Sequence, residues 1–358
     1  IALANRKSST IFDIHLGKGD EVADYSYNYA GDGITVRNVS VFTYEGEKRA
    51  SAASADDCLI RQDTYKTTSI DTIALANRKS STIFDIHLGK GDEVADYSYN
   101  YAGDGITVRN VSVFTYEGEK RASAASADDC LIRQDTYKTT SIDTIALANR
   151  KSSTIFDIHL GKGDEVADYS YNYAGDGITV RNVSVFTYEG EKRASAASAD
   201  DCLIRQDTYK TTSIDTIALA NRKSSTIFDI HLGKGDEVAD YSYNYAGDGI
   251  TVRNVSVFTY EGEKRASAAS ADDCLIRQDT YKTTSIDTIA LANRKSSTIF
   301  DIHLGKGDEV ADYSYNYAGD GITVRNVSVF TYEGEKRASA ASADDCLIRQ
   351  DTYKTTSI

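Results

Sequence analysis

Residues 1 to 72 recur without a single change at 73, 145, 217 and 289, so the 358-residue chain is five copies of one unit less two residues. An exact repeat constrains the fold more than any motif. Each unit must do what its neighbours do, and an apolar face that one unit cannot cover must be covered by an identical neighbour. A unit of 72 residues buries only about 60% of its unfolded surface, so it is marginal by itself and is expected to dock on the next. The repeats are assigned as 1–72, 73–144, 145–216, 217–288 and 289–358. Perfect identity points to recent duplication or to deliberate design, and in both cases to a function that lies in repetition. An enzyme rarely needs five copies of one site.

Within a unit the dominant signal is period-two alternation rich in Tyr, Val, Ile and Thr, punctuated by Gly, Asp and Asn. Proline is absent. In "STIFDIHLGKGD", Phe12, Ile14 and Leu16 share one face, while Ile11, Asp13 and His15 share the other. In "EVADYSYNYAGDG", Ala23, Tyr25, Tyr27 and Tyr29 line one face and "GDG" closes a turn. "ITVRNVSVFTY" starts with Ile34 and Val36 in phase and then hands over to Val39 and Val41, the mark of a β-bulge or a bend. "YEGEKR" reads as a second hairpin turn, and "ASAASADD" mixes helix-favouring Ala with capping Ser and Asp. Six or seven strands are expected per unit, at about 9–16, 22–30, 34–44 (as one strand or two), 48–54, 58–67 and 69–76.

The last of these crosses the boundary between repeats. "TTSIDTIALAN" has no Gly, no Pro and no run of like charge, so it lacks the composition of a flexible linker. Its Thr and Ile predict a strand that passes from one unit into the next. The fold class is therefore all-β, as an open array of small β-sandwich-like units sharing strands across the repeat boundary. A β-solenoid and a five-bladed β-propeller are the alternatives. The chain begins with Ile and has no apolar run approaching the ~18 residues of a membrane span. It is expected to be a processed chain or a window on a longer array.

Five residue groups carry candidate chemistry. "RNVS" is an Asn-x-Ser sequon, which makes Asn38, Asn110, Asn182, Asn254 and Asn326 candidate glycan acceptors. Asp20, Glu21, Asp24 and Asp32 form the densest acidic group, and turn carboxylates are the ligands Ca²⁺ prefers, although their spacing fits no standard calcium loop. Solvated turns are the simpler reading, and no cofactor is otherwise expected. The stripe Tyr25, Tyr27, Tyr29 is a candidate stacking surface for sugars or a partner, weighed against half-buried core aromatics. Asp13 and His15 sit two apart as an orienting pair on an exposed polar face. Cys58, Cys130, Cys202, Cys274 and Cys346 cannot pair within a unit and read as small buried hydrophobes. No nucleophile elbow, metal-ligand pair or phosphate loop is present, so no catalytic residue is assigned and the chain is expected not to be an enzyme.

The net charge is −14, with acids and bases mixed along each unit. No basic stripe results, which disfavours nucleic acid, and a uniformly acidic surface discourages lateral association. This pattern resembles the tandem-repeat β proteins of microbial surfaces, such as adhesin stalks and extracellular filaments. "YSYNYAGDGITV" followed by "FTYEGEKR" is also similar to the Tyr-rich hairpins of YD-repeat proteins, though without their Gly-Arg-Leu turn. The first resemblance implies a structural or adhesive protein at the cell surface or outside the cell, forming a stalk, fibre or filament. Its partners would be neighbouring repeats or chains, with glycans or cell-surface ligands. A symmetric propeller serving as scaffold or carbohydrate-binding module is the alternative.

Overall fold

The computed structural model describes residues 6–342 and 345–358. The first repeat supplies β1 (Ser8–Asp13), β2 (Val22–Tyr29), β3 (Val36–Tyr44) and β4 (Leu59–Tyr65). The second supplies β5 (Arg78–Asp85), β6 (Val94–Tyr101), β7 (Val108–Tyr116) and β8 (Leu131–Tyr137). The series continues from β9 (Arg150–Asp157), β10 (Val166–Tyr173) and β11 (Val180–Tyr188) to β19 (Val324–Tyr332) and β20 (Leu347–Tyr353). The chain is an all-β tandem repeat with four strands per 72 residues.

Two compact units divide the chain, one running to Arg181 with Lys192–Asp201 added, the other comprising Asn182–Glu191 and Cys202–Ile358. In the first, β1 to β10 pair in sequence order, every pair antiparallel. In the second, β11 to β20 do the same. The predicted phase change is a bulge in β3: Asn28 faces Asn38 but Tyr29 faces Val36, which leaves Arg37 as the extra residue.

The all-β repeat reading holds, while the interior of each unit differs from the expected small sandwich. Segments 48–54 and 69–76 are not strands. The first contains the 3₁₀ turn Ala50–Ala52, and the boundary segment contains two, Ile70–Thr72 and Leu75–Asn77. What neighbouring repeats share is the sheet: β4 of one repeat pairs with β5 of the next, from Arg61 opposite Ile83 to Tyr65 opposite Arg78. Separate propeller blades would lack that pairing.

Each connection packs on one face of the sheet. Alternation places Ser40, Phe42 and Tyr44 on one face of β3 and Val39, Val41 and Thr43 on the other. On the first face, the Ala50–Ala53 segment lies over Val22 and Tyr44, with Phe42 and Leu59 beside them. Ala50 and Ala53 are buried outright, and a side chain larger than methyl would hold the segment away from the sheet. On the opposite face, and toward the other end of the strands, the second boundary segment lays Ile142 and Ile145 over Val111, Val113, Tyr137, Tyr97 and Tyr99. Each buried Val contributes about 1.5–3 kcal/mol. The second repeat therefore has two small apolar clusters, one on each face, with connections acting as the second layer, and the Ala-segment cluster recurs in the first, fourth and fifth repeats.

The boundary segment is held by its own turns and by the repeat that follows. Ser69 caps the first 3₁₀ turn by accepting from the Asp71 N–H at 3.2 Å, and the Thr67 and Thr72 hydroxyls meet at 2.5 Å. Farther on, where the segment has entered the repeat 73–144, its backbone presses against that repeat's own "GDG" turn. A Cβ on Gly105 would lie 1.9 Å from the Leu75 carbonyl oxygen, and Gly105 sits at φ +65°. Arg78 completes the contact, donating from Nε to the Gly105 carbonyl at 3.3 Å with its guanidinium 3.9 Å from the centre of the Tyr101 ring.

The sheet of the first unit is curled. Nine strand spacings separate β1 from β10, ~43 Å if flat. Yet Lys7 Nζ, just before β1, is 2.6 Å from Asp200 Oδ1, in the loop after the 3₁₀ turn Ala194–Ala196 that packs on β9 and β10. Both side chains are largely exposed, so the pair reports the curl rather than causing it.

The two kinds of glycine can be told apart by experiment. Gly105→Ala combines backbone strain with a clash against Leu75 and is expected to cost about 3 kcal/mol or more. Gly91→Ala has comparable strain at φ +90° but open space around the new methyl, and is expected to cost about 1 kcal/mol. Urea unfolding of the two variants checks the order, and equal losses would show that the boundary contact is loose.

Candidate functional site

Three features of each repeat could take part in function: a buried polar ladder, an ionic link across the boundary, and a pair of exposed apolar side chains beside it. The ladder runs across the strands. Thr10 faces Ser26, Ser26 faces Ser40, Ser40 faces Thr64, and Thr64 faces Ser80. Short side chains on the middle of this face let the hydroxyls reach one another, as in the 2.7 Å contact of Thr10 with Ser26. Gln62 Nε2 donates to Ser40 Oγ at 3.2 Å, and Asn28 Nδ2 donates to Asn38 Oδ1 at 2.7 Å and to Ser40 Oγ at 3.0 Å. Ser26, Asn38 and Ser40 are buried, so these bonds replace water that the sheet excludes.

The ionic link lies on the opposite face. Asp63 of β4 is buried and faces Ser81 of β5, whose Oγ donates to Asp63 Oδ1 in a short bond. Arg61 Nε donates to Asp63 Oδ2 at 3.0 Å and its NH1 reaches Glu47 at 2.6 Å, which compensates the buried charge. The Tyr101 hydroxyl lies 3.3 Å from Ser81 Oγ. Two repeats thus share one fully engaged polar network. Nothing in the sequence marked Asp63 or Ser81 singly, but the Ser, Thr and Asn residues two apart in "SST", "SYN" and "NVS" were a readable sign of a polar stretch on one sheet face.

Beside each boundary stand two large exposed apolar side chains, Leu75 with Ile106, at 58% and 62% exposure. Leu147 with Ile178, Leu219 with Ile250, and Leu291 with Ile322 repeat the pair at the same level. Ile106 follows the Gly105 that touches Leu75, so each pair flanks one boundary contact. Alternation in "GDGITV" places Ile34 and its copies with Val36; their position at the turn leaves them outside the strand, and that exposure was not legible.

The sequon asparagines are strand residues of the polar face. Asn38, Asn110, Asn182 and Asn254 are buried and Asn326 is half-buried. Asn38 and Asn110 accept from Asn28 and Asn100 through their amide oxygens. A glycan on the folded sheet would have to displace this ladder. Of the acidic group, Asp24 Oδ1 accepts from Arg49 NH2 at 2.6 Å, Glu21 accepts from the Gly19 N–H at 3.1 Å, and Asp32 accepts from Ile34, Thr35 and the Thr35 hydroxyl. The Thr35 hydroxyl and the two N–H groups hold the Asp32 carboxyl below the usual carboxylate range. Among the described residues, no three His, Cys, Asp or Glu side chains come together as a metal would require. Asp20 is exposed.

The tyrosine stripe is built into the sheet. Tyr25 and Tyr27 meet edge to face at 5.4 Å, and Tyr29 carries the Arg6 guanidinium 3.8 Å from its ring centre. Burial, then the neighbouring Tyr99, pushes the Tyr97 phenol up to about 12. His15 does pair with Asp13, Nδ1 to Oδ1 at 2.5 Å, and the backbone and ring N–H groups of His15 hold the Asp13 carboxyl below its usual value. Cys58, Cys130, Cys202 and Cys274 are buried thiols outside any disulfide, and Cys346 is exposed. Burial, then Glu45, pushes the Cys58 thiol up, away from the reactive thiolate.

Among the described residues, no helix is long and apolar enough to cross a membrane. No family model matches the sequence, and no curated protein matches it. A chain in the crystal structure of TcdB2-TccC3-TEV is similar over 91% of this chain and 13% of its own, at 10% identity and a TM-score of 0.22. A likeness that low carries no argument about fold or function.

Two measurements test this description. Tyr116 donates its hydroxyl to the Ala95 carbonyl at 2.5 Å, and burial raises its pKa. A phenol raised in the folded state stabilises fully below the unfolded value near 10 and loses that contribution as pH climbs through the folded value. Tyr116→Phe is expected to cost about 1–2 kcal/mol at pH 7, and the difference from the parent should shrink above pH ~11. Urea unfolding at both pH values decides it, and a constant difference would contradict the assigned bond. Separately, the intact mass of folded chain from a glycosylating host should equal that of the bare chain, 39.1 kDa. Sugar on Asn110 would show that the ladder tolerates displacement.

Proposed function

We propose that this chain is a structural, adhesive tandem-repeat protein of the cell surface or the extracellular space, in which repeat number sets the length of a stalk, fibre or filament. The observation that carries the reading is the boundary itself. Identical repeats are joined by a strand pair and a buried Asp-Ser link, and the segment that leads out of each boundary seats against a glycine of the repeat it enters with no spare room, so the joint is stiff. Stiff identical joints turn copy number into length.

The exposed pairs support the adhesive part. One Leu and one Ile recur at every boundary with the same surroundings, so a ligand that is weak at one pair is held by several at once. The hydroxyl and amide groups of the polar face and the Asp63–Ser81 pair are engaged in holding the sheet, which suits a scaffold. Glycans or cell-surface molecules presenting apolar patches are the ligands this arrangement would take.

Chains of three, five and seven repeats, imaged by electron microscopy, test the reading. The expected result is particles whose long dimension grows by a fixed increment per repeat at constant width. Particles that widen with added repeats would overturn it.

A further inference from the structure

We infer that the end of the strands at which the repeat boundaries lie is a docking surface for an anionic lipid membrane. The exposed Leu and Ile pairs enter the bilayer, and the basic residues around them meet the lipid phosphates and carboxylates. This rests on the adhesive reading of the proposed function and deepens it by naming the class of ligand.

The fold sorts charges that the sequence mixes. β4 ends at Tyr65, opposite Arg78 where β5 begins, and β6 ends at Tyr101, opposite Val108 where β7 begins. Connections 66–77 and 102–107 therefore leave one end of the strands, and connections 86–93 and 117–130 leave the other. Taking each connection with the two strand residues on either side of it, the boundary end holds four bases, Lys66, Arg78, Lys79 and Arg109, against two acids, Asp71 and Asp104. The far end holds seven acids, among them Asp92, Glu93, Asp128 and Asp129, against three bases, Lys90, Lys120 and Arg121. A repeat that is acidic as a whole is thus basic at its boundary end.

Distance decides which charge an apposed surface feels. The eight residues of β6 hold the two ends ~26 Å apart. That is more than three Debye lengths of ~8 Å at physiological salt. An anionic surface at the boundary end is attracted by the near bases and scarcely repelled by the far acids. The two near acids are also engaged by their own turns. Asp71 accepts from the Ser69 hydroxyl at 3.2 Å, and Asp104 accepts from the Ile106 and Thr107 N–H groups and the Thr107 hydroxyl. Lys79, Lys151, Lys223 and Lys295 are exposed. Lys7, the same position in the first repeat, pairs with Asp200 at 2.6 Å, so a lysine here reaches away from its own repeat toward an anion.

The apolar side chains stand among these bases. Leu75 lies between the exposed Ala74 and Ala76, with Lys79 four residues beyond it. Four antiparallel pairings separate β5 from β9, so the two run in the same direction. In the first unit Leu75, Ile106, Leu147 and Ile178 consequently share one end of the strands. In the second unit β13 and β17 set Leu219, Ile250, Leu291 and Ile322 together in the same way. Aliphatic side chains on turns with cations around them match the order of a bilayer interface, hydrocarbon inside and phosphate outside. A nucleic acid or an acidic protein would match the lysines alone and leave Leu and Ile in water. One pair inserts weakly, and several on one chain add.

The test is co-flotation of the whole chain with vesicles of phosphatidylcholine containing about one third phosphatidylserine. Binding should be at least about tenfold tighter than to phosphatidylcholine alone, and should be lost in about 1 M salt. Changing Lys79, Lys151, Lys223 and Lys295 together to Gln should weaken it at least about tenfold. Changing Leu75, Leu147, Leu219 and Leu291 together to Gln should weaken it comparably with no change of charge. Changing Lys90, Lys162, Lys234 and Lys306 to Gln removes the same charge from the far end and should leave binding as it was. The chain has no Trp, so Leu75→Trp supplies a reporter whose emission should shift to the blue on anionic vesicles and be quenched by brominated acyl chains. Ser123→Trp, at the far end, should do neither.

Equal binding to the two lipids, a lysine variant that binds like the parent, or an unquenched Trp at position 75 would each overturn the inference. A leucine variant that binds like the parent would also overturn it, and would mark the surface as a site for a soluble polyanion. A chain that floats with no vesicle while its particles lengthen with repeat number would sink this inference and leave the structural reading standing. A chain that enters anionic vesicles through its leucines while its particles widen with added repeats would do the reverse.

Discussion

The pairing of the last strand of one repeat with the first strand of the next is the interaction on which the rest of the structure depends. A 72-residue repeat has two apolar clusters of only a few side chains each, too little to offset the ~1–2 kcal/mol per residue needed to order its backbone. The joint between β4 and β5 supplies a full strand ladder and the Asp63–Ser81 bond, with the Tyr101 hydroxyl beside Ser81. The second boundary segment can then lie down through Ile142 and Ile145 on the repeat it leaves, while its far end, Leu147, seats against Gly177 of the repeat it enters. Stability is accordingly a matter of neighbours, as in other linear repeat proteins.

A sheet with two apolar faces would attract a second sheet, and this one does not need to. Its clusters lie on opposite faces and at opposite ends of the strands, and each is capped by a connection, Ala50–Ala53 on one side and the boundary turns on the other. Between them the middle of one face is a ladder of Thr, Ser and Asn that satisfies itself sideways. Packing a second sheet over that ladder would bury hydroxyls without improving their bonds. This is the physical reason that the expected sandwich of six or seven strands is a four-strand run with well-placed loops.

The candidate site was partly legible. His15 beside Asp13, the buried thiols and the bulge in β3 were all readable, because each follows from spacing within a few residues. The sequon was misleading as a surface mark: Asn38 belongs to a motif that usually sits on exposed turns, yet here alternation carries it onto the buried polar face. Asp24 is acidic in a turn-rich stretch, and its true partner, Arg49, arrives from 25 residues away on a different strand connection. Long-range partners of that kind leave no local trace.

What the sequence by itself determined is the repeat, the all-β class, the turn at each "GDG" and the shift of phase in β3, all of which depend on local pattern and on backbone freedom. What only the tertiary structure decided is the nature of the boundary. Thr and Ile in "TTSIDTIALAN" are the composition of a strand, and extended pairing was the natural expectation. In the folded chain Ile142 and Ile145, the second boundary's counterparts of Ile70 and Ile73, gain more by covering Val111, Val113 and Tyr137 than by entering a ladder, and the flanking strands already pair without them. Propensity for a strand is the weaker term, and burial of those isoleucines folds the segment into two turns.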